Sequence, residues 1–77
     1  MEEKILDILV SISGVEDIKS ERDIDLFDNG ILDSLGTIEL LLEIEEKLGV
    51  KIEPTEVERT EISTPNKIIQ YVSNKRR

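Results

Sequence analysis

Asp33 and Ser34 stand side by side ahead of an apolar and acidic run, Leu35 to Leu48, and of all the residues in the chain they are best placed to support chemistry. The 77 residues contain no His and no Cys. The usual general base, the thiol nucleophile and the soft metal ligands are therefore missing together, which sets aside a serine-hydrolase reading of Ser34. A serine at the mouth of a helix is ordinarily only a cap. Here Asp33 is an equally good cap one residue earlier, so Ser34 is free to point outwards with an accessible hydroxyl. An accessible, unactivated serine suits modification by another enzyme. A phosphodiester there would lie near the N–H groups of the first turn and the positive end of the helix dipole, a favourable place for an anion.

The element that must position Ser34 is a helix over residues 34–48, with Asp33 as its start signal and Gly49 as its stop. Its periodicity predicts two apolar stripes, one more than a core needs. Leu40, Leu41, Ile44 and Leu48 share one side, and Leu35, Ile38 and Leu42 share a neighbouring side. Glu39 and Glu46 border the second stripe along one edge and Glu45 along the other, which makes it a rimmed docking surface presenting Ser34.

The length allows one small domain, 1–77, that buries only about 60% of the surface its unfolded chain exposes. With an apolar fraction of 38%, one Phe, one Tyr and no Trp, the interior is expected to be aliphatic and helix-packed. A formal net charge of -8 repels nucleic acid and favours partners with basic patches. The start, Met1-Glu2-Glu3, has neither a cationic beginning nor a long apolar run, so the expectation is a cytoplasmic monomer without membrane insertion. The closing Lys75-Arg76-Arg77 is too short for a nucleic-acid arm and is expected to complement the carboxyl end of a last helix.

Three further helical segments complete an all-α bundle of three longer helices and one short one. Ile5, Ile8, Leu9 and Ile12 predict a first helix over 2–13, ended by Gly14. Thr55 and Glu58 match a capping box and predict a short helix over 55–60. Thr64-Pro65 repeats a start signal, and Ile68, Ile69 and Val72 give the last helix, 65–74, its buried stripe. Val15 to Leu32 is a long loop between the first two longer helices, in which Val15, Ile18, Ile24, Leu26 and Phe27 are apolar anchors and Asp28-Asn29-Gly30 a turn. Ile52 is expected to plug the core from the link that follows the central helix.

Leu32-Asp33-Ser34-Leu35, followed by an acidic and apolar helix, resembles the acyl carrier protein family over nearly the whole chain. The resemblance implies that Ser34 receives 4′-phosphopantetheine from coenzyme A through a phosphopantetheinyl transferase. The arm's thiol, which this chain lacks, then carries an acyl or aminoacyl group as a thioester. It also implies that Asp33 helps to place a magnesium ion during transfer, and that Leu35, Ile38, Glu39, Leu42 and Glu45 contact partner enzymes. Gly36-Thr37, Glu39-Leu40-Leu41-Leu42, Thr55-Glu56, Arg59 and Thr64-Pro65-Asn66 with Ile68 are similar to the D-alanyl carrier branch of that family. For that branch the implied partners are a D-alanine–carrier adenylating ligase and a membrane acyltransferase of teichoic acid D-alanylation, and the carrier itself is non-catalytic. Leu35 stands where that branch usually has Phe, and Ile62 where it often has an aromatic. A generic acyl carrier for fatty acid or polyketide-type synthesis is the alternative.

Two readings of another class compete. The acidic loop Asp23 to Gly30 invites a calcium site, but an EF-hand starting at Asp23 would need an oxygen ligand at Phe27 and glycine at Asp28. Solvated surface charge explains it better. An acidic helical module that binds a basic partner without modification fits the composition, and the Asp-Ser at the helix mouth weighs against it.

Overall fold

The computed structural model describes residues 1–76, so Arg77 and its expected part in complementing the last helix lie outside the described residues. Three α-helices make the frame: α1 (Glu2–Ser13), α2 (Ser34–Leu48) and α3 (Pro65–Arg76), with no strand among the described residues. Both α1 and α2 end on a glycine in the left-handed conformation, Gly14 at φ 74° and Gly49 at φ 70°. The N–H of each returns to the last helical turn, at Val10 C=O and Glu45 C=O, and so satisfies a carbonyl that the helix end would leave open. α3 begins as Thr64-Pro65 implies: Thr64 Oγ1 accepts the Lys67 N–H at 3.1 Å, and Pro65 is buried.

α1 packs against both α2 and α3 around one aliphatic core. Ile5, Leu6, Ile8 and Leu9 of α1 meet Leu40, Leu41 and Ile44 of α2 and Ile68 and Val72 of α3, and Ile52 is buried with them. No polar or charged side chain is buried among the described residues. Two expected stripes need correction. Leu6 is wholly buried although it falls outside the α1 spacing, and Ile12 and Ile69 are only partly buried. In so small a bundle α1 is covered from two sides, which widens its buried face beyond a single stripe.

The connection between α1 and α2 is structured. Glu16–Lys19 forms a 3₁₀ turn that buries Ile18, and Leu26 is buried farther on. The Asp25 carboxylate accepts the N–H groups of Phe27 and Asp28, so this acidic residue shapes a turn. Leu26 is a junction: its N–H donates to Ser63 C=O at 2.7 Å, and its own C=O accepts from Ile31 and Leu32. Asn66 fastens the same connection to α3, donating its N–H to Arg22 C=O and its side-chain amide to Asp23. The Thr64-Pro65-Asn66 signature is thus a helix start and a clamp on the preceding loop.

The short helix expected over 55–60 is displaced. Residues 54–56 form a turn, and the helical turn is a 3₁₀ segment over Arg59–Ile62. Its box joins Glu58 to Glu61, whose carboxylate accepts the Glu58 N–H at 2.9 Å, while the Glu61 N–H returns to Glu58 C=O. The Thr55–Glu58 pairing gives way because Glu56 engages the Glu53 N–H and the Lys75 ammonium, and because Ile62 is the buried anchor of the segment.

Candidate functional site

The mouth of α2 is built by Asp33. Its backbone is extended, at φ -125° and ψ -170°, and its carboxylate accepts the Gly36 N–H at 2.7 Å. Its C=O accepts both the N–H and the hydroxyl of Thr37, each at 2.8 Å. With Asp33 as the cap, Ser34 is the first helical residue; it is exposed, and its hydroxyl makes no hydrogen bond among the described residues. The Ser34 and Leu35 N–H groups likewise have no acceptor among the described residues, as first-turn donors of a helix do not. A reachable hydroxyl beside two open N–H donors at the positive end of a helix suits attachment of a group that begins with a phosphodiester.

Gly36 eases this close approach at the cap. A Cβ there would stand 3.2 Å from Asp33 Oδ1 and 3.3 Å from Leu32 Cδ2. The second oxygen of the exposed Asp33 carboxylate makes no hydrogen bond among the described residues.

Beyond Ser34, α2 presents its outer stripe to solvent. Leu35 is 73% exposed, Leu42 60% and Ile38 45%, and they are the exposed large hydrophobics of the described residues. Glu39, Glu45 and Glu46 are exposed beside them, while Leu40, Leu41 and Ile44 are buried. Three large apolar side chains in one open row beside the exposed Ser34 form a patch of the kind that marks an interaction surface.

The row is divided in a way that periodicity alone does not reveal. Leu42, Glu39 and Glu46 border a shallow depression with Ser11 and Ile12 of α1. Ile38 instead shares a groove of about 250 Å³ with Ser34, Thr37, Phe27, Arg59 and Ile62. Phe27 comes from the α1–α2 connection and Arg59 from the 3₁₀ turn, and the guanidinium carbon lies 4.6 Å from the centre of the Phe27 ring. Their meeting in the groove was not legible in the sequence. The available signal was weak: Phe27 is the only Phe of the chain, set in a loop otherwise anchored by aliphatic residues.

An all-helical domain with an exposed serine at the mouth of a rimmed helix is the arrangement of a prosthetic-group carrier, and the chain belongs to the phosphopantetheine attachment site family, which it matches over residues 3–72. D-alanyl carrier proteins are among its relatives. That of Lacticaseibacillus casei (strain BL23) is 46% identical over 68 residues, 88% of this chain and 84% of the relative. D-alanyl carrier protein 1 of Lactiplantibacillus plantarum is 46% identical over 70 residues, 91% and 86% of the two chains. The D-alanyl carrier protein of Enterococcus faecalis (strain ATCC 700802 / V583) is 42% identical over 72 residues, 94% and 92%. No helix among the described residues is long and apolar enough to cross a membrane.

Proposed function

We propose that the chain is a D-alanyl carrier in which Ser34 bears 4′-phosphopantetheine and the arm's thiol holds D-alanine as a thioester for teichoic acid D-alanylation. The observation that carries the reading is the exposed Ser34 hydroxyl, without a hydrogen-bond partner among the described residues, at the mouth of α2 and inside the family match. The names of the relatives support the cargo. Asp33 holds the helix mouth and keeps one carboxylate oxygen open beside the serine, which suits a part in the transfer from coenzyme A. Leu35, Ile38 and Leu42 with Glu39 and Glu45 are the surface for the phosphopantetheinyl transferase, an adenylating ligase and a membrane acyltransferase. The protein acts in the cytoplasm as one carrier domain and catalyses nothing itself. In this reading it is an acyl-carrier-like bundle whose fourth, short element is the Arg59–Ile62 turn.

The core is consistent with a small cargo. Among the described residues, eleven large side chains, from Ile5 to Val72, are essentially without solvent contact. A charged aminoacyl group gains nothing from an apolar interior, because its ammonium is costly to bury, whereas a fatty chain gains about 0.8 kcal/mol per buried CH₂. The experiment is loading in two steps. Intact mass should show one phosphopantetheine after incubation with coenzyme A, magnesium and a transferase, and none in Ser34→Ala. The modified protein should then form a thioester with D-alanine and a D-alanine ligase, and not with long-chain acids and a fatty acyl-carrier synthetase. A mass increase that survives Ser34→Ala would overturn the site, and loading with long-chain acids alone would overturn the cargo.

A further inference from the structure

We infer that Arg59 is the counter-ion of the phosphodiester that attachment at Ser34 would create, and that it holds the base of the arm in the groove between α2 and the Arg59–Ile62 turn. The inference rests on the phosphopantetheine reading above.

Three observations carry it. Arg59 and Ser34 line the same groove, and among the described residues Arg59 is the only cationic one that lines it. Lys19, Arg22, Lys47, Lys51 and Lys75 each sit on a carboxylate, whereas Arg59, like Lys4, Lys67 and Arg76, forms no ion pair among the described residues, and of these four Arg59 is the one that lines the groove with Ser34. The Glu61 carboxylate is engaged by the Glu58 N–H. Finally, the guanidinium is laid over the Phe27 ring, which fixes the long side chain at the groove and leaves its N–H edge for another acceptor. A planar guanidinium makes paired, charge-assisted hydrogen bonds to phosphate oxygens, which a neutral or purely apolar wall does not offer. Ser34 brings the mouth of α2, with its open first-turn N–H donors, to the same groove, and these favour the same anion. Arg59 and the helix mouth thereby act on one phosphodiester, and the rest of the arm leaves from that base.

The test is phosphorus NMR of the full chain after conversion to the phosphopantetheinyl form, with Arg59→Gln, Arg59→Lys and, as a control cation elsewhere, Lys67→Gln. Amide spectra of each variant establish that the fold is kept. In the native chain the phosphodiester resonance should differ from that of a phosphopantetheinyl-serine peptide and relax as part of the folded domain. Arg59→Gln should move it to the peptide position with faster internal motion, Arg59→Lys should restore part of the shift, and Lys67→Gln should leave it unchanged. The same resonance and relaxation in native and Arg59→Gln proteins would overturn the inference while leaving Ser34 attachment intact. Failure of the native chain to gain phosphopantetheine by mass would overturn both.

Discussion

Gly36 donates its N–H to the Asp33 carboxylate at 2.7 Å, and a Cβ on Gly36 would stand 3.2 Å from the oxygen that accepts it. The cap and the glycine are therefore coupled. Asp33→Ala should cost about 0.5–2 kcal/mol of stability as a lost cap. Gly36→Ala adds helix propensity worth about 1 kcal/mol, but in the native chain that gain is opposed by the crowded carboxylate. Gly36→Ala should accordingly be more favourable in the Asp33→Ala background than alone. Urea unfolding of the four proteins measures the difference, and strict additivity would contradict the coupling.

The two sides of α2 should separate cleanly in stability. Ile38→Ala and Leu42→Ala remove exposed side chains and should each change stability by less than about 1 kcal/mol. Leu40→Ala and Ile44→Ala empty fully buried positions and should cost about 2–5 kcal/mol. Chemical denaturation midpoints decide it, and equal losses on both sides would refute the division.

Glu39 and Glu45 should act on encounter more than on fold. Both are exposed, so their fields are screened within about 8–10 Å at ordinary ionic strength. Association with a phosphopantetheinyl transferase, followed by surface binding, should weaken as salt rises. Glu39→Gln with Glu45→Gln should flatten that dependence while leaving the urea midpoint unchanged. An unchanged salt slope would remove the glutamates from the interface.

Glu56 links pH to the packing of α3. The Lys75 ammonium, through its hydrogen bond, and then the Glu53 N–H hold the Glu56 carboxyl below the ordinary carboxylate range. A carboxyl whose value is depressed by folding stabilises the folded chain above its unfolded value, and the contribution is lost as pH falls through the folded value. Glu56→Gln should therefore be less stable than the native chain at neutral pH, with the gap closing under acid. Thermal melts of both proteins across that range provide the check, and a gap that persists in acid would assign the loss to packing.

What could be read from the sequence was local. Asp33 and Gly49 bracket α2 by signals within one turn of its ends, and the split between Leu40, Leu41 and Ile44, with Leu48 partly buried on the same side, and the outer row follows from spacing on one helix. What escaped depends on distant partners. The Thr55–Glu58 box satisfies the local pattern, yet Lys75 of α3 draws Glu56 into a different turn and the box forms at Glu58 and Glu61. Leu6 is buried because two helices cover α1, which no stripe on α1 alone records. Phe27 and Arg59 meet across the molecule, so their pairing has no signature in either neighbourhood.

The bonds from Leu26 to Ser63 and from Asn66 to Arg22 and Asp23 have a kinetic consequence. They join the loop that carries Phe27 to the segment that follows Arg59, so both outer walls of the groove should open as one cooperative unit. Amide exchange in such a unit is shared, and the protection of Leu26, Ile31, Leu32 and Asn66 should rise and fall together. The groove beside Ser34 can then widen only by motion of α2 against that unit, or by release of the unit as a whole.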